Sequence, residues 1–455
     1  MDFTGIFINK IAYPVIAKCF LKAGKRLKFT AYYRKIENNA KESNAGLQRK
    51  RLFDAVDYAV KNIPYYRNVA SEREINYSAE TIFEDIKKFP VLTKSIIRNK
   101  GDELTNTAAV KSFVVNTSGG STGEPVKLLQ DRGYVLQDAA EYSDELAGYR
   151  IGDKLTLLWG SEKDIFARTK SLPLRLFNRT IRRTQFLNSF RMSENDMYDY
   201  VNKINRFKPR TILAYVQSIY ELSGFIKEKD LEIHSPHSII VSAGTLFPDF
   251  RETIEEVFRC KVYNRYGSRE VGCIAMECEC HRGLHIHTLN QYIEVLSDDD
   301  AAVDAGKEGR IIITNLTNRV MPLIRFEIGD IGALSLEECD CSRTTPLLQS
   351  VLGRTVNVFK TRKGDKIDGE FFTHLFYGAD FVRKFQFHQT EYERIEVLIE
   401  SSADDLLEQE KDFFSDMTKK IRLVMGDECK VEYTVCDCIE PSPSGKFIYT
   451  ISDLP

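Results

Sequence analysis

The chain lacks several features that mark specialised classes of protein. Its 64 Lys and Arg residues nearly cancel its 66 Asp and Glu residues, which leaves a net charge of −2 at pH 7. This balance provides no overall field that would attract a nucleic-acid backbone or an anionic membrane. The sequence also has no internal repeat and no low-complexity tract. Nucleic-acid partners and repeat architectures are therefore not expected.

Long apolar runs are missing as well. Near the N terminus, Lys10, Lys18 and Lys22 interrupt each stretch that approaches the length of a membrane span. Residues 1–40 carry eight basic residues against two acidic residues. This local excess allows peripheral contact with a membrane surface, although a helix packed on its own domain is the favoured interpretation. No transmembrane helix is expected.

Cysteine is sparse, with 10 among 455 residues. Four of these cysteines fall in two Cys-x-Cys pairs close to histidines. No cleavable signal peptide is expected at the N terminus. This usage is typical of reduced thiols, so the sequence predicts a cytoplasmic protein.

The composition that remains is that of an ordinary globular protein, and the length exceeds what one core usually supports. Short β-branched runs alternate with longer helical patterns, which predicts an α/β fold. The runs lie at 156–159, 211–214, 238–241 and 310–313.

The pattern changes near residue 354. A basic, Gly-containing turn at 360–364 leads into a shorter unit. Strands are predicted there near 394–400 and 430–436, with a helix near 404–424. The sequence therefore predicts an N-terminal domain of residues 1–354. Residues 355–455 are predicted to form a small, mobile α+β C-terminal domain.

The strongest local motif is the Gly- and hydroxyl-rich loop 117–125, which is predicted to connect strands at 112–116 and 126–130. Such a loop directs backbone N–H groups and hydroxyls into one concavity, as phosphate oxygens require. It lacks the Gly-Lys-Ser/Thr ending of a P-loop and no helix follows it directly. The alternative interpretation is a plain hairpin turn.

The loop sequence Thr-Ser-Gly-Gly-Ser-Thr-Gly-Glu-Pro resembles the phosphate-binding signature of the adenylate-forming superfamily. Its doubled glycine resembles the branch of phenylacetate–coenzyme A ligases and CapK-like capsule-biosynthesis proteins. Further motifs follow in family order, so the resemblance covers about 60 to 450. It implies that 1–354 is an adenylate-forming domain. The implied triphosphate ligands are Thr117, Ser118, Gly119, Gly120, Ser121, Thr122 and Gly123.

The segment 263–272 resembles the family motif Tyr-Gly-x-Thr-Glu. The resemblance implies that Tyr266 stacks on adenine beside Gly267 and that Glu270 holds Mg²⁺ against the phosphates. Arg269 stands where many members have Thr, and its guanidinium is suited to a bidentate contact with the α-phosphate. The alternative is a surface turn with a solvated Arg–Glu pair.

Two further segments resemble the nucleotide site of the family. The segment 241–245 resembles the turn that lines the adenine, where Gly244 would allow close approach. In 323–330, which resembles Arg-Tyr-x-Thr-Gly-Asp, Asp330 would accept both ribose hydroxyls and Ile328 replaces the usual Thr. Taken alone, each segment is an ordinary turn.

The last two family motifs lie at the hinge and near the C terminus. Arg354 would reach the ribose and the phosphate. Lys446, in the Pro-Ser-Gly-Lys-Phe stretch 443–447, would bridge the acid's carboxylate and the α-phosphate. Residues 355–357 lack the Asp that members often have after the hinge Gly-Arg. The resemblance therefore implies rotation of the C-terminal domain on fewer matching residues than the nucleotide site.

Two Cys-x-Cys pairs lie about sixty residues apart in the sequence, and a His cluster lies beside the first pair. Together they offer ligands that could bind one Zn²⁺ ion. By resemblance to phenylacetate ligases, the preferred ligands are Cys278, His285, Cys339 and Cys341. The reserves are Cys280, His281 and His287. Four protein ligands would make the zinc structural. Reduced thiols and surface histidines without a metal are the alternative.

A basic run could meet the phosphates of coenzyme A, but a solvated helix face is the favoured interpretation. It comprises Arg175, Arg179, Arg182, Arg183 and Arg191.

The resemblance implies ATP-dependent activation of a small carboxylic acid as acyl-AMP, with Lys446, Glu270 and Arg269 as the catalytic residues. The implied acyl acceptor is coenzyme A, a sugar amine or a separate carrier protein. The stretch 61–67 favours the capsule group, and so a role in capsule or O-antigen polysaccharide biosynthesis. Two alternatives remain open: a nucleotidyl transferase that passes AMP to a phosphate-bearing cofactor, and a non-catalytic zinc-stabilised homologue.

Overall fold

The structure of the protein is a computed structural model, which describes most of the chain. The described residues are 41–110, 112–117, 126–131, 140–150, 152–160, 183–189, 191–244, 246–352, 358–362, 366–376, 379, 381–382, 384–401, 403, 405–437, 439 and 449–454. No helix within these ranges is long and apolar enough to cross a bilayer. The basic segment 1–40 lies outside them.

Local sequence signals set where several helices begin. Pro64 and Pro248 each occupy the first turn of a helix, where a missing N–H costs nothing. Ser193 and Asp196 form a capping box, in which each side chain accepts the other residue's backbone N–H. The helices are α1 (Lys41–Asn62), α2 (Pro64–Glu72), α3 (Ile82–Asp85), α4 (Lys94–Lys100), α5 (Ala140–Leu146), α6 (Glu194–Phe207), α7 (Val216–Glu228), α8 (Pro248–Phe258), α9 (Gly369–His374), α10 (Leu406–Gln409) and α11 (Lys411–Met425).

The strands are short and mostly buried, as their β-branched composition predicts. They are β1 (Phe113–Thr117), β2 (Lys127–Asp131), β3 (Leu155–Trp159), β4 (Thr184–Asn188), β5 (Arg191–Met192), β6 (Thr211–Tyr215), β7 (Ser238–Ser242), β8 (Lys261–Ser268), β9 (Gly272–Glu277), β10 (Leu284–Ile286), β11 (Gln291–Leu296), β12 (Gly309–Asn315), β13 (Phe326–Leu334), β14 (Leu347–Leu352), β15 (Val358–Lys360), β16 (Lys366–Asp368), β17 (Lys384–Glu391), β18 (Arg394–Glu400), β19 (Lys430–Cys436) and β20 (Thr450–Ser452).

The described residues fall into two compact units. The first draws on described residues within 41–117, 127–152 and 263–352. The second draws on described residues within 153–262 and 358–454. The division into domains at 354/355 stays a prediction.

The first unit is built on antiparallel strands. They run in the order β11-β12-β13-β14-β10-β9-β8, and neighbouring strands pair antiparallel. In β12, Ile311, Ile312 and Ile313 have no exposed surface, so both of its faces are covered. Beside this sheet, β1 and β2 form an antiparallel ribbon that ends in the pair Thr117 and Lys127. The predicted placement of loop 117–125 between two strands is thus confirmed.

The second unit contains a parallel sheet in the order β7-β6-β3-β4. Every residue of β6 and β7 is buried, as expected for parallel strands covered by helices on both faces. Part of that cover is an apolar core to which α6, α7 and α8 contribute. The runs predicted as strands at 156–159, 211–214 and 238–241 are confirmed here, and the predicted α/β class is confirmed with them.

The C-terminal part of the second unit has its own sheet, ordered β19-β18-β17-β20, and a core rich in phenylalanine. The strands predicted at 394–400 and 430–436 are confirmed as β18 and β19. The helix predicted at 404–424 is wrong as a single element. Glu410 takes a non-helical conformation (φ −107°, ψ 33°) and separates α10 from α11.

The basic run is not a solvated helix face where it is described. Arg183 lies directly before β4 and is buried, with 7% of its surface exposed. Arg191 belongs to strand β5. The helix-face interpretation is therefore wrong for these two residues, because neither of them lies in a helix. The other members, Arg175, Arg179 and Arg182, lie outside the described residues.

Candidate functional site: a nucleotide-site hairpin and a Cys/His cluster

The motif at 263–272 forms β8, a tight turn and the first residue of β9. Across this hairpin, Gly267 pairs with Cys273. An added Cβ at Gly267 would lie 3.0 Å from the carbonyl oxygen of Gly272 and 3.4 Å from the Cα of Cys273. Glycine is required here because the opposite backbone is so close.

Arg269 and Glu270 occupy the turn of this hairpin. Arg269 is exposed, whereas Glu270 is buried with 7% of its surface exposed. The alternative of a solvated Arg–Glu pair is therefore wrong for Glu270. Buried carboxylates are as a rule paired or bound to a metal. This position suits the predicted Mg²⁺ ligand, a role that stays a prediction.

Tyr266 and Asp330, which were predicted to bind adenine and ribose, are in direct contact. The Tyr266 hydroxyl donates a hydrogen bond to Asp330 Oδ2 at 2.7 Å. Asp330 is half-buried on β13 and follows Gly329, whose φ of +93° is accessible to glycine and costly for other residues. Two motifs that are 64 residues apart thus meet at one hydrogen bond.

This contact requires the sheet of the first unit to curve. Strands β8 and β13 are separated in the sheet order by β9, β10 and β14. Four strand spacings of about 4.8 Å would hold them about 19 Å apart in a flat sheet. The two side chains cannot bridge that distance, so β8 and β13 must bend towards each other.

The remaining nucleotide-site predictions are described only in part. Thr117 ends β1. Gly244 lies in the second unit after β7, where an added Cβ would lie 3.1 Å from Val216 Cβ. Packing against α7 thus explains this glycine, and its predicted approach to adenine stays a prediction. The residues that lie outside the described ranges are Ser118, Gly119, Gly120, Ser121, Thr122, Gly123, Arg354 and Lys446.

The four preferred zinc ligands lie together in the first unit. The donor atoms of Cys278, His285, Cys339 and Cys341 are all within 4.8 Å of one another. Cys278 Sγ is 3.5 Å from Cys339 Sγ, and Cys341 Sγ is 3.3 Å from His285 Nε2. A tetrahedral zinc with Zn–S bonds of about 2.3 Å needs sulfur atoms about 3.8 Å apart. The cluster therefore has nearly the size of a zinc coordination shell.

The surroundings orient these donor atoms towards one another. Thr345 Oγ1 lies 2.9 Å from His285 Nδ1 and leaves Nε2 facing the cluster. The backbone N–H of Cys280 points at Cys278 Sγ, and that of Arg343 points at Cys341 Sγ, each at 3.4 Å. Burial raises the pKa of the Cys278 thiol, so its thiolate requires a nearby cation. Three thiols and one imidazole suit Zn²⁺ in number and in kind.

The reserve ligands have other contacts. His281 Nδ1 is 3.1 Å from Glu277 Oε2, and His287 Nε2 is 2.5 Å from Ser143 Oγ on α5. Cys280 contributes its backbone N–H to the cluster instead of its sulfur. Only the four preferred ligands form a metal-sized group among the residues that the structure describes.

Sequence reasoning gave no role to Arg325, which begins the Arg-Phe-Glu-Ile-Gly-Asp motif. It is buried, with 4% of its surface exposed, and forms a bidentate ion pair with Glu294. Its Nη1 also donates to the carbonyl oxygens of Lys87 and Phe89. An arginine directly before a strand that contains Gly-Asp was the available signal. Its partner Glu294 is on β11, so the local sequence pattern could not reveal the ion pair.

Known proteins similar to this chain include CapK of Staphylococcus aureus, which is 23% identical over 99% of this chain and 98% of its own length. Phenylacetate-coenzyme A ligase of Thermus thermophilus is 26% identical over 73% of this chain and 76% of its own length. The family of CapK C-terminal domains matches residues 359–453. Over most of its length the chain is thus similar to CapK and to the phenylacetate–coenzyme A ligases, the proteins that its sequence motifs resemble.

A solved structure supports the same fold. The 2-hydroxyisobutyryl-CoA ligase, crystallised with 2-HIB-AMP and CoA in the thioesterification state, matches with a TM-score of 0.58 at 19% identity. The match covers 92% of each chain. The CapK C-terminal match begins within β15 and ends just after β20, so it contains the whole β19-β18-β17-β20 sheet.

Proposed function

We propose that the protein activates a small carboxylic acid with ATP as acyl-AMP, releases pyrophosphate, and then transfers the acyl group to an acceptor. The observation that carries this proposal is the Tyr266–Asp330 contact beside the turn that holds Glu270. Residues predicted for adenine, ribose and Mg²⁺ from two separate motifs thus lie in one unit. The phenylacetate ligases among the relatives support the same reaction class.

The reaction needs positioning and charge neutralisation more than a nucleophilic side chain. A carboxylate is a poor electrophile, so its oxygen attacks the α-phosphorus of ATP and pyrophosphate leaves. Loop 117–125 holds the triphosphate, Asp330 orients the ribose, and Arg269 neutralises the α-phosphate. Glu270 would hold Mg²⁺, which would supply positive charge against the phosphates.

Residues 355–455 are proposed to form a lid that carries Lys446, with Arg354 at its hinge. The ammonium of Lys446 would lie between the acid's carboxylate and the α-phosphate, where two anions meet. Closure of such a lid would bring Lys446 to the reacting groups.

Coenzyme A is our proposed acceptor, because the similar ligases are named for it. A sugar amine or hydroxyl, or a separate carrier protein, is the acceptor if the chain acts in capsule or O-antigen polysaccharide biosynthesis. The match to CapK over nearly the whole chain favours that setting. These acceptors are distinguished by comparing two products. One is acyl-coenzyme A, and the other is an amino sugar that carries the acyl group.

Zinc is proposed as a structural ion in the cluster of Cys278, His285, Cys339 and Cys341. Four protein donors leave no position for a reacting water. Each described cysteine is a free thiol, which suits the proposed cytoplasmic location.

Acid-dependent exchange of labelled pyrophosphate into ATP tests the proposal. A panel of carboxylic acids is offered to the wild type, with Glu270→Ala and Lys446→Ala as inactive controls. Exchange with at least one acid is expected, and both variants should lose it. No exchange with any acid would overturn the proposal, and AMP retained in a product would favour a nucleotidyl transferase.

A further inference from the structure

Two carboxamide side chains bind the backbone of the turn that carries Arg269 and Glu270. Gln130 Nε2 donates to the carbonyl oxygen of Arg269 at 2.7 Å and to that of Glu270 at 3.3 Å. Asn116 Nδ2 also donates to the Arg269 carbonyl, at 3.2 Å, and to Gln130 Oε1 at 3.4 Å. The two amides therefore act on the turn together.

A third carboxamide completes the set. Gln291 Nε2 donates to the carbonyl oxygen of Val271 at 2.6 Å. Its own Oε1 accepts a hydrogen bond from Asn315 Nδ2 at 3.4 Å. Three consecutive carbonyls of the turn are thus bound by side-chain amides, which we call the amide cradle (Asn116, Gln130 and Gln291).

The cradle joins elements that are distant in sequence. Asn116 lies on β1 and Gln130 on β2, the strands that flank the phosphate-binding loop 117–125. Gln130 has 7% of its surface exposed and Gln291 has none, so these hydrogen bonds are shielded from water. A shielded hydrogen bond is costly to break, because its partner is left buried and unsatisfied. The turn is therefore held in one conformation relative to the ribbon.

We propose that Gln130 is a positioning residue for Mg²⁺ and the triphosphate, acting through the backbone of Arg269 and Glu270. It fixes the direction of the Glu270 carboxylate and couples it to the β1–β2 ribbon. The proposal rests on the proposed function, because it assigns Gln130 to that same nucleotide site.

The test measures Mg-ATP binding by titration calorimetry over a series of Mg²⁺ concentrations. Gln130→Met keeps the side-chain length and removes every hydrogen bond, and Gln130→Glu replaces the donor with a carboxylate. Both variants should bind Mg-ATP roughly tenfold more weakly and require more Mg²⁺ for half-maximal binding. A role confined to fold stability would lower the melting temperature and leave the Mg²⁺ requirement unchanged.

The matched control is Asn205→Asp. Asn205 Nδ2 donates to the Glu232 carbonyl at 2.8 Å, so this change also removes an amide-to-carbonyl bond, but in the second unit. It should keep the wild-type Mg²⁺ requirement. Wild-type binding and Mg²⁺ requirement in Gln130→Met would overturn the positioning role alone, whereas a wild type that does not bind Mg-ATP would overturn the proposed function as well. If Gln130→Met does not fold, Asn116→Ala takes its place and removes the half-buried end of the cradle. The affinity for Mg-ATP and the Mg²⁺ requirement of this variant then test the proposal in the same way.

Discussion

The hydroxyl of Tyr266 links the predicted adenine and ribose motifs through its hydrogen bond to Asp330. Removing it in Tyr266→Phe leaves the ring for stacking but takes this hydrogen bond away from the Asp330 carboxylate. A hydrogen bond to a charged group contributes about 1.5–3 kcal/mol, so the KM for ATP should rise at least about tenfold. Steady-state kinetics with the acid at saturation measure this change.

Tyr77→Phe provides the control for that experiment. The Tyr77 hydroxyl also faces a carboxylate, Asp57 Oδ1, at 3.4 Å, but it lies at helix α1. This variant should keep the wild-type KM for ATP. An unchanged KM in Tyr266→Phe would show that the contact does not shape the nucleotide site.

Arg325 should matter for stability more than for chemistry. In Arg325→Met, Glu294 stays buried without its cation, which should lower the free energy of unfolding by about 3–5 kcal/mol. Burial already raises the pKa of Glu294 against the opposing effect of Arg325, and the substitution removes that opposition. A carboxyl with a raised folded-state pKa binds its proton more readily when folded, so the loss should be smaller at pH 5 than at pH 8.

Urea denaturation at the two pH values measures both effects. Glu84→Gln is the control, because it removes the exposed ion pair between Glu84 and Lys87, which is worth at most about 1 kcal/mol. If Arg325→Met lowers the free energy of unfolding equally at both pH values, the buried Glu294 carboxylate is not the cause of the destabilisation.

At the scale of elements, the Cys/His cluster ties the β9–β10 hairpin to the loop that precedes β14. We expect about one zinc ion per chain, and we expect Cys341→Ser to lose it and to melt at a lower temperature. Cys280→Ser should keep the metal, since the Cys280 sulfur is outside the cluster. Elemental analysis and thermal unfolding measure the two properties. Full zinc retention in Cys341→Ser would remove this residue from the ligand set.

The elements show what local sequence can predict. The predicted strands 394–400 and 430–436 have their observed bounds. Alternating or continuous β-branched residues indicate a strand with one or both faces buried. Glu410, which separates α10 from α11, has ordinary helical propensity. The break depends on packing and could not be predicted.

The Cys/His cluster was predictable because Cys and His are rare and their metal-binding chemistry is narrow. The amide cradle was not, since Asn and Gln are common and their partners are backbone carbonyls. Asn116, Gln130 and Gln291 come from three strands, and nothing in their spacing indicates a shared turn. Long-range pairing of ordinary residues is therefore the part of the site that sequence does not reveal.

At the scale of the whole molecule, catalysis should depend on a lysine of the C-terminal lid. Lys446→Ala should lower the rate of pyrophosphate exchange by about 10²–10³-fold, since it removes one charge from the transition state. Calorimetric Mg-ATP binding should change little, because Glu270, Asp330 and loop 117–125 remain.

Lys430→Ala is the matched control for that prediction. Lys430 is an exposed lysine on β19, within the predicted C-terminal domain, and its loss should leave the exchange rate unchanged. Equal losses in the two variants would indicate a general effect of positive charge instead of a specific role for Lys446.

The amide cradle also bears on how freely this site can be redesigned. Its hydrogen bonds end on main-chain carbonyls, which every amino acid supplies, so they do not depend on which side chains the turn displays. Arg269 can therefore be exchanged for the threonine of many relatives without rebuilding the backbone beneath it. Evolution can therefore change residue 269, which is proposed to contact the phosphate, while the amide cradle keeps the backbone of the turn in place.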